Sequence, residues 1–253
     1  MFVKRDFVTV YKQTILGPAW FFIQPILTTV IFSLIFGKAG NFSPEGKPTF
    51  LYYFAGIILW QYFADSLRKI SRTFHDNKGI FGKVYFPRLV IPFSVILSNL
   101  LKFSIQLLMF IIIYFISVKA GADIYINSTI WLLPFYLILL SGLGMGIGLV
   151  ISALTTKYRD FRFLMNFGIQ LLMYITPGII MSYDKFIEVF PKLDWVFKWN
   201  PLGYIIEGFK YGTVDSGSFS PLNLIYCFGF TILVFILGII IFNKTEKNFM
   251  DSI

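Results

Sequence analysis

The stretch "RDFVTVYKQTILGPAWFFIQP", Arg5 to Pro25, sets a basic segment with helical spacing directly against a run that belongs in hydrocarbon, with a Gly17-Pro18 break between them. Phe7, Val10, Tyr11 and Thr14 recur on one helical face, and Lys4, Arg5 and Lys12 can reach phosphate head groups. The segment reads as a helix lying in the membrane interface over residues 1–16, with Gly17-Pro18 making the bend into a first span. The other reading is a cytoplasmic extension of that span. The apolar run has no small-residue cleavage site after it and more apolar runs follow, so it is expected to be a retained anchor.

The rest of the chain repeats the pattern. Of 253 residues, 57% are apolar, 20% aromatic and only 14% charged, too little polar surface to cover a water-soluble globule. Runs of about 20 apolar residues match what a helix needs to cross about 30 Å of hydrocarbon, whereas a barrel would show short alternating strands. Hydropathy predicts an all-α, polytopic protein with six spans: 17–37, 50–67, 89–117, 129–154, 163–183 and 221–243. No repeat of 20 to 50 residues divides it, so residues 1–253 read as one membrane domain, with 1–16 an interfacial helix, 17–243 the bundle and 244–253 a tail.

Charge orients the bundle. Segments on one side, including both termini, hold 14 Lys and Arg, against 7 on the other side. With Asp65 counted on the first side, that side carries +8, the opposite side 0, and intramembrane Lys102 the last +1 of a net +9. The positive-inside rule puts the richer side and both termini in the cytoplasm. The basic excess is therefore topological, and a nucleic-acid partner is not expected.

Other motifs read mostly as packing. In "SGLGMGIG", Ser141 to Gly148, the pairs Gly142/Gly146 and Gly144/Gly148 allow close helix approach, and no phosphate-loop register is present. "GNFSPEGKPT" has the wrong spacing for a nucleotide loop, and Pro48 stands where a Ser or Thr would hold magnesium. Lys102, inside a span, must snorkel, pair or face water. His75 has no second nitrogen ligand nearby, and no Ser, His and Asp set or carboxylate pair can be assembled. No catalytic residue, cofactor or metal is expected.

Three regions remain as functional candidates. Aromatic and amide stripes on spans one and five, with Phe22, Thr29, Phe32, Asn166, Gln170 and Tyr174, could line a path for sugar rings and hydroxyls, or could simply pack. The loops "FHDNKGIFGKVYFPRL", Phe74 to Leu89, and "TTKYRDFRF", Thr155 to Phe163, combine aromatics with a basic rim, as a protein interface or a lipid head-group anchor would. Pro201 could start an outer helix with Tyr204, Glu207 and Tyr211 on one face, resting in the outer interface and closing an exit.

"YKQTILGPAWFFIQPILT", "KVYFPRLVIPFS", "KYRDFRFLMNFGIQLLMYITPGI" and "NPLGYIIEGFKYG" occur in that order along nearly the whole chain. In this ordered set the chain resembles the membrane permeases of bacterial ABC-2 type exporters, closest to the branch exporting O-antigen, capsule or teichoic-acid polymers. The resemblance implies a six-span subunit of the bacterial cytoplasmic (inner) membrane, working as a homodimer, each copy bound to a cytoplasmic ABC ATPase subunit. It implies a lipid-linked polysaccharide substrate, and an interfacial helix before Gly17. Coupling to the ATPase would fall to Lys78, Phe81, Lys83, Tyr85, Arg88, Lys157, Tyr158, Arg159 and Asp160, and the outer gate to Tyr204, Glu207 and Tyr211. Two departures are a short stretch before Arg5-Asp6 and Lys102, near which the family commonly has an acid. A permease for a smaller lipid or drug and a membrane-embedded lipid-modifying enzyme are the alternatives.

Overall fold

The computed structural model describes residues 17–44, 46–77, 87–158 and 160–250, with residues 3 and 79 beside them. The interfacial helix expected over residues 1–16 lies outside the described residues. So do five coupling candidates, Lys78, Phe81, Lys83, Tyr85 and Arg159.

The described residues form helices joined by turns and short irregular segments, with no strand among them. α1 (Trp20–Phe32) continues through a π-helical stretch, Ser33–Ala39. α2 (Thr49–Ile70) and the single turn α3 (Thr73–Asp76) follow. α4 (Val90–Lys119) and α5 (Leu133–Lys157) are long, and α6 (Phe161–Tyr174) is short. Then come α7 (Tyr183–Val189), α8 (Asp194–Lys198), α9 (Pro201–Val214) and the long α10 (Pro221–Met250). Among the described residues, four stretches are long and apolar enough to cross a bilayer: Trp20–Ala39, Val90–Lys119, Ser128–Thr156 and Pro221–Glu246. The chain is a multi-pass membrane protein.

α2 is the centre. Its 22 residues would reach about 33 Å at the α-helical rise, yet Tyr52, Tyr53, Gln61, Tyr62, Asp65, Arg68 and Lys69 make it a poor solute in lipid. The fold resolves this by surrounding it with α1, α4, α5 and α9, so that its residues from Leu51 to Trp60 are all buried. Its polar side chains then find partners on α4. Gln106 Nε2 donates to Gln61 Oε1 at 3.0 Å, and Lys102 pairs with Asp65 at 2.6 Å. Lys69 donates to Asn99 Oδ1 at 3.0 Å while Asn99 Nδ2 donates to Ser66 Oγ at 3.0 Å. Steps of about four residues on each antiparallel helix put these pairs on one seam. Lys102 is therefore paired, by an acid the linear sequence does not place beside it, and a residue worth about 2.5 to 3.5 kcal/mol of insertion penalty is compensated.

Glycines set the other main contact. Gly142 and Gly146 face α10, and Gly144 and Gly148 face α2. A methyl built on Gly238 would lie 2.5 Å from the carbonyl oxygen of Gly146, and one on Gly146 would lie 2.8 Å from the Val234 backbone. The α5 and α10 backbones touch there because neither helix has a side chain in the way.

α6 stops at Tyr174, where hydropathy alone carries a span on to residue 183. Pro177 offers no N–H and disfavours helix in the residue before it. Gly178, at φ +82°, then reverses the chain, and its N–H donates to the Met181 carbonyl at 2.8 Å. Residues 176–181 are all buried, which is where irregular backbone at membrane depth is tolerated.

The two ends of the bundle are distinct. At one, Phe74 stacks on Phe242 at 4.4 Å and Arg88 meets Glu246. At the other, Lys47 pairs with Asp215 at 2.9 Å and donates to the Asp123 carbonyl, and Asn127 donates to the Tyr211 carbonyl. These groupings match the sides on which the charge count puts the same segments. Gly146→Leu is expected to wedge α5 from α10 and to lower the thermal midpoint in detergent by the equivalent of about 1 to 3 kcal/mol or more. Gly168→Ala, with nothing within 4 Å of its new methyl, is expected to leave the midpoint in place, as differential scanning fluorimetry would read.

Candidate functional site

The basic end is built on α5. Ser71 and Phe74, which bracket the start of α3, are held to it: Thr155 Oγ1 donates to the Ser71 carbonyl at 3.4 Å and the Phe74 N–H donates to Ser152 Oγ at 3.4 Å. One turn later α5 ends at Lys157, and exposed Tyr158 follows with its ring 6.1 Å from Phe161. Asp160 is also exposed. The segment leading to the first basic loop and the second loop thus share one mechanical base. Arg88 departs from expectation: it is buried, its Nε 3.4 Å from Glu246 Oε1 and Nη1 donating to the Glu246 carbonyl. It ties the start of α4 to the end of α10, so it does not offer its guanidinium to a docking partner. His75 stays exposed beside Asp76, Nδ1 to Oδ1 at 2.8 Å.

Along the bundle, the stripe candidates divide. Thr29 and Phe32 are buried against the chain's own interior; the Thr29 hydroxyl donates to the Pro25 carbonyl at 2.7 Å, and the Phe32 ring lies 6.4 Å from Tyr53. They cannot line an open path within one copy, because α1 turns this face toward α2. Phe22, two turns earlier on the same stripe, is exposed near the start of the helix. On α6 only Met165 and Ile169 are buried. Asn166, Gln170 and Tyr174 stand one turn apart on its open surface, between exposed Phe163, Phe167 and Leu171. Two amides on an open helix face at this depth are poorly suited to hydrocarbon, where an unmet amide costs about 4 to 8 kcal/mol. That face is mixed, two amides set among exposed aromatic and aliphatic side chains.

The opposite end is organised by α9. Asn200 caps it, Oδ1 accepting from the Leu202 N–H at 3.1 Å, while its amide donates to Thr176 Oγ1. Pro201 occupies the first turn, where its missing N–H costs nothing. Asp215, in the left-handed region at φ 52°, ends the helix. The bond from Lys47 holds the Asp215 carboxyl below its ordinary range. This helix was expected to lie flat in the outer interface, but it is buried among α2, α5 and α10, because it carries Leu202, Ile205, Ile206 and Phe209 as well as its polar residues. Tyr204 is half-buried and donates to the Lys198 carbonyl at 3.2 Å. Tyr211 stacks on Phe219 at 6.2 Å, and Glu207 is buried.

Glu207 Oε2 accepts from the Ser218 N–H at 3.1 Å. One turn on, Lys210 is fully buried, its Nζ 3.2 Å from the centre of the Tyr52 ring. Gly56 makes room for it: a methyl there would meet Lys210 Cε at 3.2 Å and the Gly178 carbonyl at 2.8 Å. Six buried side-chain polar atoms among the described residues lack a hydrogen-bond partner, and five of them surround α9: Tyr52 Oη, Thr129 Oγ1, Tyr136 Oη, Glu207 Oε1 and Lys210 Nζ. The Lys210 cation over the Tyr52 ring clamps α9 to α2, with the Glu207 carboxylate one turn before it on the same helix.

Sequence reasoning named Glu207 and missed Lys210, although the spacing of three residues on a helix was the available signal. It also missed the seam joining α2 to α4, which was visible only as two polar series four residues apart. Removing Glu207 alone strands Lys210, so Glu207→Ala is expected to cost about 3 to 5 kcal/mol. Glu207→Gln combined with Lys210→Met is expected to cost less than Glu207→Ala; a thermal double-mutant cycle giving simple addition contradicts the clamp.

Residues 1–214 match the family model described as ABC-2 type transporter. Two curated relatives, each an "O-antigen export system permease protein RfbA" of Klebsiella pneumoniae, are 27% and 28% identical over 252 residues, 98% of this chain and 92% of theirs. A protein of the same name from Myxococcus xanthus is 23% identical over 178 residues, 69% of this chain and 65% of its own. The chain belongs to the ABC-2 type transporter family.

Proposed function

We propose that this protein is the permease subunit of an ATP-driven exporter that moves a lipid-linked polysaccharide, of O-antigen, capsule or teichoic-acid type, across the bacterial cytoplasmic membrane. The observation that carries this reading is the open face of α6. Asn166 and Gln170 supply amides for hydroxyls, and Phe163, Phe167 and Tyr174 supply aromatic faces for sugar rings. A second copy, set against α1 and α6, would remove this face from lipid and enclose it as a conduit. The relatives' names support a polysaccharide as cargo.

In this reading α2 and α6 complete a six-span bundle with the four apolar stretches. The charge asymmetry puts the α3 end and both termini in the cytoplasm, where two copies of an ABC ATPase would bind the homodimer. α5 would be the lever, since its inner end carries the Ser71 and Phe74 contacts and then Tyr158. Force on the loop at 157–160 would reach the α2–α4 unit through the glycine face of α5. At the far end α9, with its own Tyr204, Glu207 and Tyr211, would close the exit until α2 shifts against Lys210.

Two double variants, expressed with a partner ATPase and read by surface polysaccharide, co-purification and ATPase activity, separate the parts. Asn166→Leu with Gln170→Leu is expected to keep the ATPase bound while export falls at least tenfold. Tyr158→Ala with Arg159→Ala is expected to insert normally and to lose export because hydrolysis no longer drives it. Unchanged export in both variants overturns the proposal.

A further inference from the structure

A cavity of about 570 Å³ opens between α4, α5 and α10, on a part of the molecule that the export reading does not use. Phe93, Ile96 and Leu100 line it from α4, Leu137 and Ile138 from α5, and Phe228 and Ile232 from α10. No lining residue comes from α1 or α6. We propose that this groove binds one hydrocarbon chain of a bilayer phospholipid, lying along the spans.

Chemistry selects the class of ligand. The polar side chains on the wall are Tyr62, Ser141 and Thr231, and all three are satisfied within the protein. Tyr62 Oη and Ser141 Oγ share a hydrogen bond at 2.5 Å, Ser141 Oγ donates to the Leu137 carbonyl at 2.6 Å, and Thr231 Oγ1 donates to the Cys227 carbonyl at 2.7 Å. With the hydroxyl donors of all three used, the groove has no side-chain donor for a phosphate, and the spare hydroxyl lone pairs are its only side-chain means of holding a sugar or a chain of waters. Apolar cavities stay dry and take apolar occupants, even at about 150 Å³.

Position selects the source. Residues 93–100 belong to the first third of α4, and residues 134–145 to the first half of α5, which runs antiparallel to it. The lining therefore extends from one end of the bundle toward the other, on the order of 25 Å at the helical rise, the direction and reach of an acyl chain. Phe93, Ile138, Phe228 and Ile232 on its rim are exposed residues of membrane-crossing helices, so the opening faces the lipid phase. The floor cannot close over it. α5 and α10 already touch at Gly146 and Gly238, and a methyl on Gly142 would lie 2.5 Å from Thr231 Cγ2. With the two backbones at contact there, only α4 could move in, and its seam to α2 holds it.

The test uses full-length protein in nanodiscs of phosphatidylethanolamine and phosphatidylglycerol, released into mild detergent and weighed by native mass spectrometry. The wild type is expected to retain one phospholipid of either head group after annular lipid is gone. Leu100→Trp with Ile232→Trp, which fills the groove, is expected to lose that peak at unchanged oligomeric state, while Leu108→Trp, at an exposed position outside the lining, keeps it. If the double variant does not fold, Ile232→Trp alone reads the same loss. A wild type that retains no lipid, a filled groove that retains as much, or a change of oligomeric state on filling would each overturn the proposal.

Discussion

Hydrocarbon accepts neither an unpaired charge nor an unbonded peptide group, and the arrangement of this chain follows from how it meets that constraint around α2. A helix carrying Gln61, Asp65 and Lys69 is costly at a lipid surface and inexpensive inside protein. Four more apolar helices, α1, α4, α5 and α10, take the lipid-facing positions, and α2 is threaded among them with its polar side chains bonded across to Asn99, Lys102 and Gln106. The seam is a specificity device as much as a stabilising one: sliding α4 by one turn would strand Lys102 and Asp65 together.

The same constraint explains the irregular parts. The reversal at Thr176–Met181 is buried against α9 and α2, with Gly178 against Ile206 and Glu207 and its carbonyl oxygen against Gly56. α9 in turn depends on a cation buried against Tyr52. The open amides of α6 are the complementary case: polar groups that one copy leaves unburied, on a helix of which only Met165 and Ile169 are buried.

How much of this was legible in the linear sequence varied with the physics involved. Apolar runs longer than a soluble helix needs announce membrane spans, and Gly142, Gly144, Gly146 and Gly148 announce close contact, because both signals are local. Residues 50–67 were legible as a helix, but its enclosure was not, since that depends on partners 30 to 45 positions away. Arg88 and Thr29 looked like surface and conduit residues by type; burial set by neighbouring helices turned both inward. α9 was recognisable from Asn200-Pro201, whereas its depth was decided by its apolar residues packing on α2 and α5, and Lys210 passed unnoticed because a lysine ordinarily marks a surface. The amides of α6 were found from spacing, yet their exposure was not, since it depends on Met165 and Ile169 being the side that packs inward.

Trp60 tests the enclosure of α2 directly, since it lies on that helix with only 5% of its surface exposed. In a variant with Trp20, Trp131, Trp195 and Trp199 replaced by phenylalanine, reconstituted into bilayers with brominated acyl chains, Trp60 fluorescence is expected to be quenched several-fold less than that of a tryptophan placed at exposed Leu108. Equal quenching at the two positions would put α2 in contact with lipid and contradict the account.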